Sequence, residues 1–135
     1  MIIKNRDELV SHGNREARAL ALDILEGGLA AADPYANTLK LIRREGNRLH
    51  IGGHPEMDVS GYGDEVIDLD EIERIFVIGA GKAVQLQAKA LEDVLGDRLT
   101  AGAITIKHGE PHLLERIVIT EGAHPVPDQG SVDGA

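Results

Sequence analysis

At 135 residues, 42% of them hydrophobic, the chain suits about one domain and can bury a core, but with 2% aromatics that core must be built from Leu, Ile, Val and Ala. Its 23 acidic against 14 basic residues leave a formal charge of -9, which, with so few stacking side chains, excludes a general nucleic-acid binder. The absence of cysteine excludes disulfides and thiolate metal sites, and the lack of a signal-like or membrane-length apolar run predicts a cytoplasmic protein with no membrane partner.

In chain order, Asp7-Glu8-Leu9-Val10 predicts a short helix or turn before Gly13. Asn14 is an N-cap type of residue, and Ala17, Leu20, Ala21, Ile24 and Leu25 recur after it at helical spacing. That helix is expected to reach Ala32 across the weakening Gly27-Gly28 pair. Asp33 and Pro34 then start a second helix, with Pro34 at its first position. Tyr35, Leu39 and Ile42 share one face of it, and Arg43 and Arg44 suit its negative end. Arg48–Ile51 predicts a short strand, the stretch from Gly52 to Asp64 a loop, and Glu65–Leu69 a short strand or an extended approach to the central one.

The central stretch is Ile75-Phe76-Val77-Ile78-Gly79-Ala80-Gly81-Lys82. Its unbroken apolar run predicts a strand buried on both faces of a parallel sheet. Gly79 and Gly81 allow a sharp turn into a helix, whose first amides and dipole favour an anion, and Lys82 adds a positive charge there. The alternative is a plain strand-to-helix turn with Lys82 in solvent. A Walker loop is excluded because Phe76 stands where its first glycine belongs and Ala83 where its hydroxyl belongs. A dinucleotide fingerprint is incomplete, with Val84 at its third small position.

In the helix that follows, Ala83, Leu86, Ala90 and Val94 mark one apolar side, widened by Val84, Leu91 and Leu95, with Gln85, Lys89 and Glu92 the polar side and Gly96 the stop. Ala103–Ile106 and Arg116–Thr120 predict two more strands. Strand, helix, strand forms a βαβ unit, so the fold class expected is α/β, Rossmann-like, with a mainly parallel sheet and flanking helices. The last two strands are separated by so few residues that their relative direction stays open. If all are parallel, Lys82, Lys107 and His124 converge on the carboxyl edge, where open α/β sheets bind ligands.

The pairs His50/His54 and His108/His112 have the spacing of two metal ligands on a helix, but Gly52, Gly53, Gly109 and Pro111 interrupt them, so no metal site is predicted. In His124-Pro125-Val126-Pro127-Asp128 two prolines stiffen the backbone. This run either holds His124 and Asp128 for ligand binding or simply connects to a helix capped by Asp128 or Ser131.

The combination of Ala31-Ala32-Asp33-Pro34, Val77-Ile78-Gly79-Ala80-Gly81-Lys82-Ala83, Ala90-Leu91-Glu92, Leu95-Gly96-Asp97-Arg98 and Glu121-Gly122-Ala123-His124-Pro125-Val126-Pro127-Asp128 resembles the N-terminal region of the glycerate 2-kinase family, whose C-terminal domain is called MOFRL. The resemblance implies transfer of the ATP γ-phosphoryl group to the 2-hydroxyl of D-glycerate with Mg²⁺ or a similar ion. It places Lys82 as the catalytic lysine, Gly79 and Gly81 in its turn, and His124 and Asp128 at the substrate or phosphate site; Lys107, at a strand end, reads either as a second anion contact or as a solvated turn residue, and a homodimer is a further expectation. Residues 1–135 would be the N-terminal portion of the kinase domain, with 1–45 a helical lead-in and 65–135 the sheet-forming part. The family's Ser-Gly-Gly-Gly-Ser phosphate loop and second domain have no counterpart here, so the chain alone is expected to be an incomplete, inactive portion. Two other readings stand beside this one: an NAD(P)-dependent hydroxypyruvate reductase, a name some relatives carry, and a non-catalytic sugar-phosphate-binding module, from which Ala83 departs.

Overall fold

Asn14 caps a long helix as its side-chain type predicts, its amide oxygen accepting the Ala17 N–H at 3.1 Å. The structure, a computed structural model, describes residues 1–54 and 64–135, so most of the loop predicted before Asp64 lies outside the described residues. The chain divides into two units, 1–33 and 34–135. The first holds α1 (Arg6–Leu9) and α2 (Arg15–Ala31). Polar contacts join them: Arg6 pairs with Asp23 at 2.6 Å, and Arg18 donates to the Leu9 carbonyl at 3.1 Å. Glu26 accepts the Ile3 amide at 2.9 Å and also that of Ile2.

The second unit opens with α3 (Pro34–Leu41), which starts on Pro34 as expected. Arg43 and Arg44 do not end this helix. They lie in a strand, β1 (Ile42–Glu45), which pairs antiparallel with β2 (Arg48–Ile51) across a turn where Gly46 has φ 60. Both arginines are drawn away from a helix end by carbonyl partners: Arg43 donates to Gly52 at 2.9 Å, Arg44 to Leu95 and Gly46 at 2.7 Å each, and Arg44 also pairs with Asp97 at 2.9 Å. β3 (Glu65–Asp68) forms where a short strand or extended segment is expected. It joins β2 antiparallel and completes a separate three-stranded sheet instead of leading into the central one.

The other sheet has the order β4 (Ile75–Ala80), β5 (Leu99–Lys107), β6 (Ile117–Gly122), and both pairings are parallel. The direction that the sequence leaves open is therefore parallel, with a crossover over residues 108–116 that contains no helix. Such a crossover must satisfy its own backbone, and α4 (Val84–Leu95) supplies the acceptors. Gln85 Oε1 accepts the Leu113 N–H at 2.9 Å, and the Glu92 carboxylate accepts those of Glu115 at 3.1 Å and Arg116 at 2.5 Å. Gln85 and Glu92 are consequently buried, contrary to the solvent-facing side expected for them. The stripe of α4 that enters the core is Val84, Ala88, Leu91 and Leu95, whereas Ala83 is exposed. Gly96 ends the helix with φ 55.

Val77, Ile104, Ile106 and Ile117 meet that stripe on one face of the parallel sheet. The opposite face departs from the expectation of two buried faces: Phe76 is 56% exposed, Ile78 83% and Val118 66%. The strands alternate because only their α4 side is packed in this chain. After β6 the chain turns through a cis His124-Pro125 bond into α5 (Gln129–Asp133). Among the described residues no helix is long and apolar enough to cross a membrane.

Candidate functional site

The parallel pairing brings the carboxyl ends of β4, β5 and β6 to one edge, where a cleft of about 320 Å³ opens. Gly81 and Lys82 from the β4–α4 turn, Thr105 and Lys107 from the end of β5, and Ala123 and His124 beyond β6 line it. The residues of α5 and after it contribute Ser131, Gly134 and Ala135. Lys82, Lys107 and His124, which come from three separate strand ends, thus share one cleft. All three are exposed, and none has a hydrogen bond or ion pair among the described residues. The site offers two uncommitted ammonium groups and an imidazole to a small anion, and among the described residues no acidic side chain lines it.

The two glycines of the turn have different tasks. Gly81 adopts φ 120, a conformation that L side chains rarely take, and its N–H donates to the Thr105 carbonyl at 3.2 Å, tying the turn to β5. Gly79 is not among the residues lining the cleft. A Cβ at that position would stand 2.6 Å from Val84 Cγ2, so Gly79 lets α4 pack closely on β4. The helix begins at an Ala83 N-cap that provides no side-chain acceptor.

Asp128 is also placed away from the cleft lining, and its carboxylate is fully engaged. It accepts the Ala123 N–H at 3.0 Å, the Ser131 hydroxyl at 3.2 Å and the Ser131 N–H at 3.1 Å, and the last, with the Asp128 N–H donated to Ser131 Oγ at 3.3 Å, forms the capping box of α5. Its other oxygen lies 2.7 Å from His108 Nε2. His108 Nδ1 in turn lies 3.3 Å from Glu121, which also accepts the Gly109 N–H at 3.0 Å and meets His112 Nε2 at 2.9 Å. The hydrogen bond from His108, helped by the Ala123 amide, holds the Asp128 carboxyl far below the usual carboxylate range. Gly109 N–H, His112 and His108 lower Glu121 as well, and Asp128 followed by Glu121 raises His108.

His108, His112 and Glu121 are absent from the site expected from sequence. A signal was available in Lys107-His108, a histidine following directly on a candidate cleft lysine at a strand end. Its partners lie thirteen and twenty residues away and become neighbours only through the parallel register of β5 and β6.

Residues 20–135 match a family described as Domain of unknown function (DUF4147). The chain is 29% identical over 120 residues to a glycerate 2-kinase of Pyrococcus horikoshii, a match covering 89% of this chain and 24% of that protein. It is 44% identical over 62 residues to a putative hydroxypyruvate reductase of Agrobacterium vitis, covering 46% of this chain and 16% of the relative. The crystal structure of the PH0495 protein from Pyrococcus horikoshii OT3 superposes with a TM-score of 0.67 at 28% identity, over 88% of this chain and 24% of that one. The chain thus spans about a quarter of the length of the kinase relative, and over most of its own length it belongs to the DUF4147 family, with glycerate 2-kinases among its relatives.

Proposed function

We propose that the cleft is the anion-binding wall of the active site of an ATP-dependent kinase that phosphorylates the 2-hydroxyl of D-glycerate, and that this chain corresponds to the amino-terminal portion of the kinase domain. The observation that carries this reading is the meeting of Lys82 and Lys107, uncommitted among the described residues, with His124 in one cleft. Glycerate brings a carboxylate, and the phosphate donor brings several oxyanions. Phosphoryl transfer needs little from a protein beyond positioning and stabilisation of the charge that develops on the transferred group. Lys82, on the turn before α4, would hold glycerate and meet that charge as it develops, with Lys107 as a second contact for the glycerate carboxylate. Gly81 lets the ligand approach the backbone closely.

The residues present fit the anionic half of the reaction. The described residues do not fit a bound divalent ion: among them no carboxylate side chain lines the cleft, and no group of three His, Asp or Glu side chains is arranged to hold a metal.

The reductase reading is favoured by the name of the Agrobacterium relative. It requires a dinucleotide on the β4–α4 turn. There the close packing of helix on strand is achieved by Gly79 beneath Val84, in place of a small residue on the helix, and Lys107 stands at the next strand end, where a ribose-binding acid would be needed. Calorimetric titration separates the two readings. D-glycerate is expected to bind saturably to the wild-type chain and not to Lys82→Ala, while NADH gives no saturable heat. Saturable NADH binding without glycerate binding would overturn the kinase assignment.

A further inference from the structure

His108 stands between two carboxylates on two different segments. Its Nε2 is 2.7 Å from Asp128 in the β6–α5 turn, and its Nδ1 is 3.3 Å from Glu121 on β6. A neutral imidazole has one N–H and one bare nitrogen, so it can donate to only one of them. Only the imidazolium satisfies both, and each contact is then a charge-assisted hydrogen bond. The charged groups facing this ring are Asp128 and Glu121. His112, from the same crossover as His108, reaches Glu121 from its other side at 2.9 Å.

The positions of these groups matter because of their neighbours. His108 directly follows Lys107, and the Asp128 oxygen that accepts the Ala123 N–H fixes the residue directly before His124. Lys107, Ala123 and His124 all line the cleft. The His108–Asp128 contact therefore bridges the two walls carrying these residues, at a point just outside the space a ligand would occupy. An isolated exposed ion pair would do little, but here one ring joins two carboxylates that are each held by backbone amides as well.

We infer that His108, as an imidazolium shared by Asp128 and Glu121, is a positioning residue that fixes the wall carrying Lys107 against the wall carrying His124, so that the cleft holds a small carboxylate in one geometry only while His108 is charged. The raised titration of His108 and the lowered titration of Asp128 and Glu121 agree with this arrangement. As far as it concerns substrate, the inference rests on the reading of the cleft as a glycerate site. The bridge itself does not.

The test is an NMR titration from pH 5 to 9 of the wild-type chain and of His108→Gln, followed by D-glycerate binding to both at each pH. D-glycerate suits this purpose because its carboxylate keeps one charge throughout that range. In the wild type, both imidazole nitrogens of His108 should show imidazolium shifts at neutral pH, and the amides of Lys107, Ala123 and His124 should move together as His108 titrates. In His108→Gln that common transition should vanish, and glycerate affinity near pH 6 should fall about tenfold, the size expected for loss of one charge-assisted hydrogen bond. A neutral His108 at pH 7, or cleft amides that ignore its titration, overturns the inference. Coupled amides with no glycerate binding would uphold the bridge and refute the kinase reading instead, which keeps the two failures apart.

Discussion

After β4 the chain turns through Gly81, Lys82 and Ala83 with little to hold it: one backbone bond to Thr105, an Ala83 N-cap without a side-chain acceptor, and a lysine with no partner among the described residues. After β6, at the same end of the same sheet, it turns through residues 123–128 with its two ends tied to each other by the Ala123 N–H to Asp128 bond, while the His124 ring stays open to the cleft. Asp128 alone accepts from Ala123, Ser131 and His108. Unsatisfied donors are what a ligand can use, and satisfied ones are what keeps the geometry in place to receive it. The open turn and the closed turn are thus two halves of one site, and the substitutions that separate them act on different observables.

The largest effect is expected at the support beneath the closed side. Glu92→Ala leaves the part-buried amides of Glu115 and Arg116 without their charged acceptor and should lower stability by about 3 kcal/mol, read from urea unfolding. Gly130→Ala comes next. A Cβ there would stand 2.0 Å from the Glu121 carbonyl oxygen, so α5 must move off β6, at a cost of about 2 kcal/mol in the same measurement.

A smaller effect follows from Asp128→Asn, which removes the largest cause of the raised His108 value. That value should fall toward 6.5, a shift that NMR reads directly. The signs are opposite for the two partners. His108 titrates higher in the folded chain, so its pairing stabilises in full below 6.5 and is lost as pH rises through the raised value. Asp128 titrates lower, so its contribution is present above the ordinary 3.8 and disappears as pH falls through the depressed value. Thermal unfolding of the wild type should therefore show a decline as pH rises above 6.5 that is absent in His108→Gln.

The smallest stability effect belongs to the open turn. Lys82→Ala should stay within about 0.5 kcal/mol of wild type in urea unfolding, as is usual for a surface substitution, while abolishing glycerate binding in calorimetry. A Lys82→Ala chain that unfolds early would show that the open turn is a structural element after all.

Much of the parallel unit is legible in the sequence. The apolar run at 75–78, the glycines that follow it and the Gly96 stop are local signals, and the structure places strand, turn and helix there. Convergence of Lys82, Lys107 and His124 follows from strand direction alone, once that direction is known. What periodicity could not supply was partnership. Arg43 and Arg44 look like a basic helix end because nothing nearby shows that carbonyls at Gly52 and Leu95 await them. Gln85 and Glu92 read as solvated because the amides they serve belong to a crossover more than twenty residues away. Asp128 has the residue type of a ligand contact and the position of a cap, and a sequence does not rank the two.

The short crossover has a further consequence, for the order in which the sheet assembles. Gly102 pairs with Ile117, fifteen residues on, whereas Val77 pairs with Gly102, twenty-five residues on. Loop-closure entropy favours the first pairing by about 0.5 kcal/mol, too little to dictate a pathway by itself. Because the crossover's amides find their acceptors on α4, however, β6 cannot settle beside β5 with its connection satisfied until that helix exists. Helix, crossover and the β5–β6 pair would become native as one nucleus, and β4, with the open turn at its end, would be the last strand to dock.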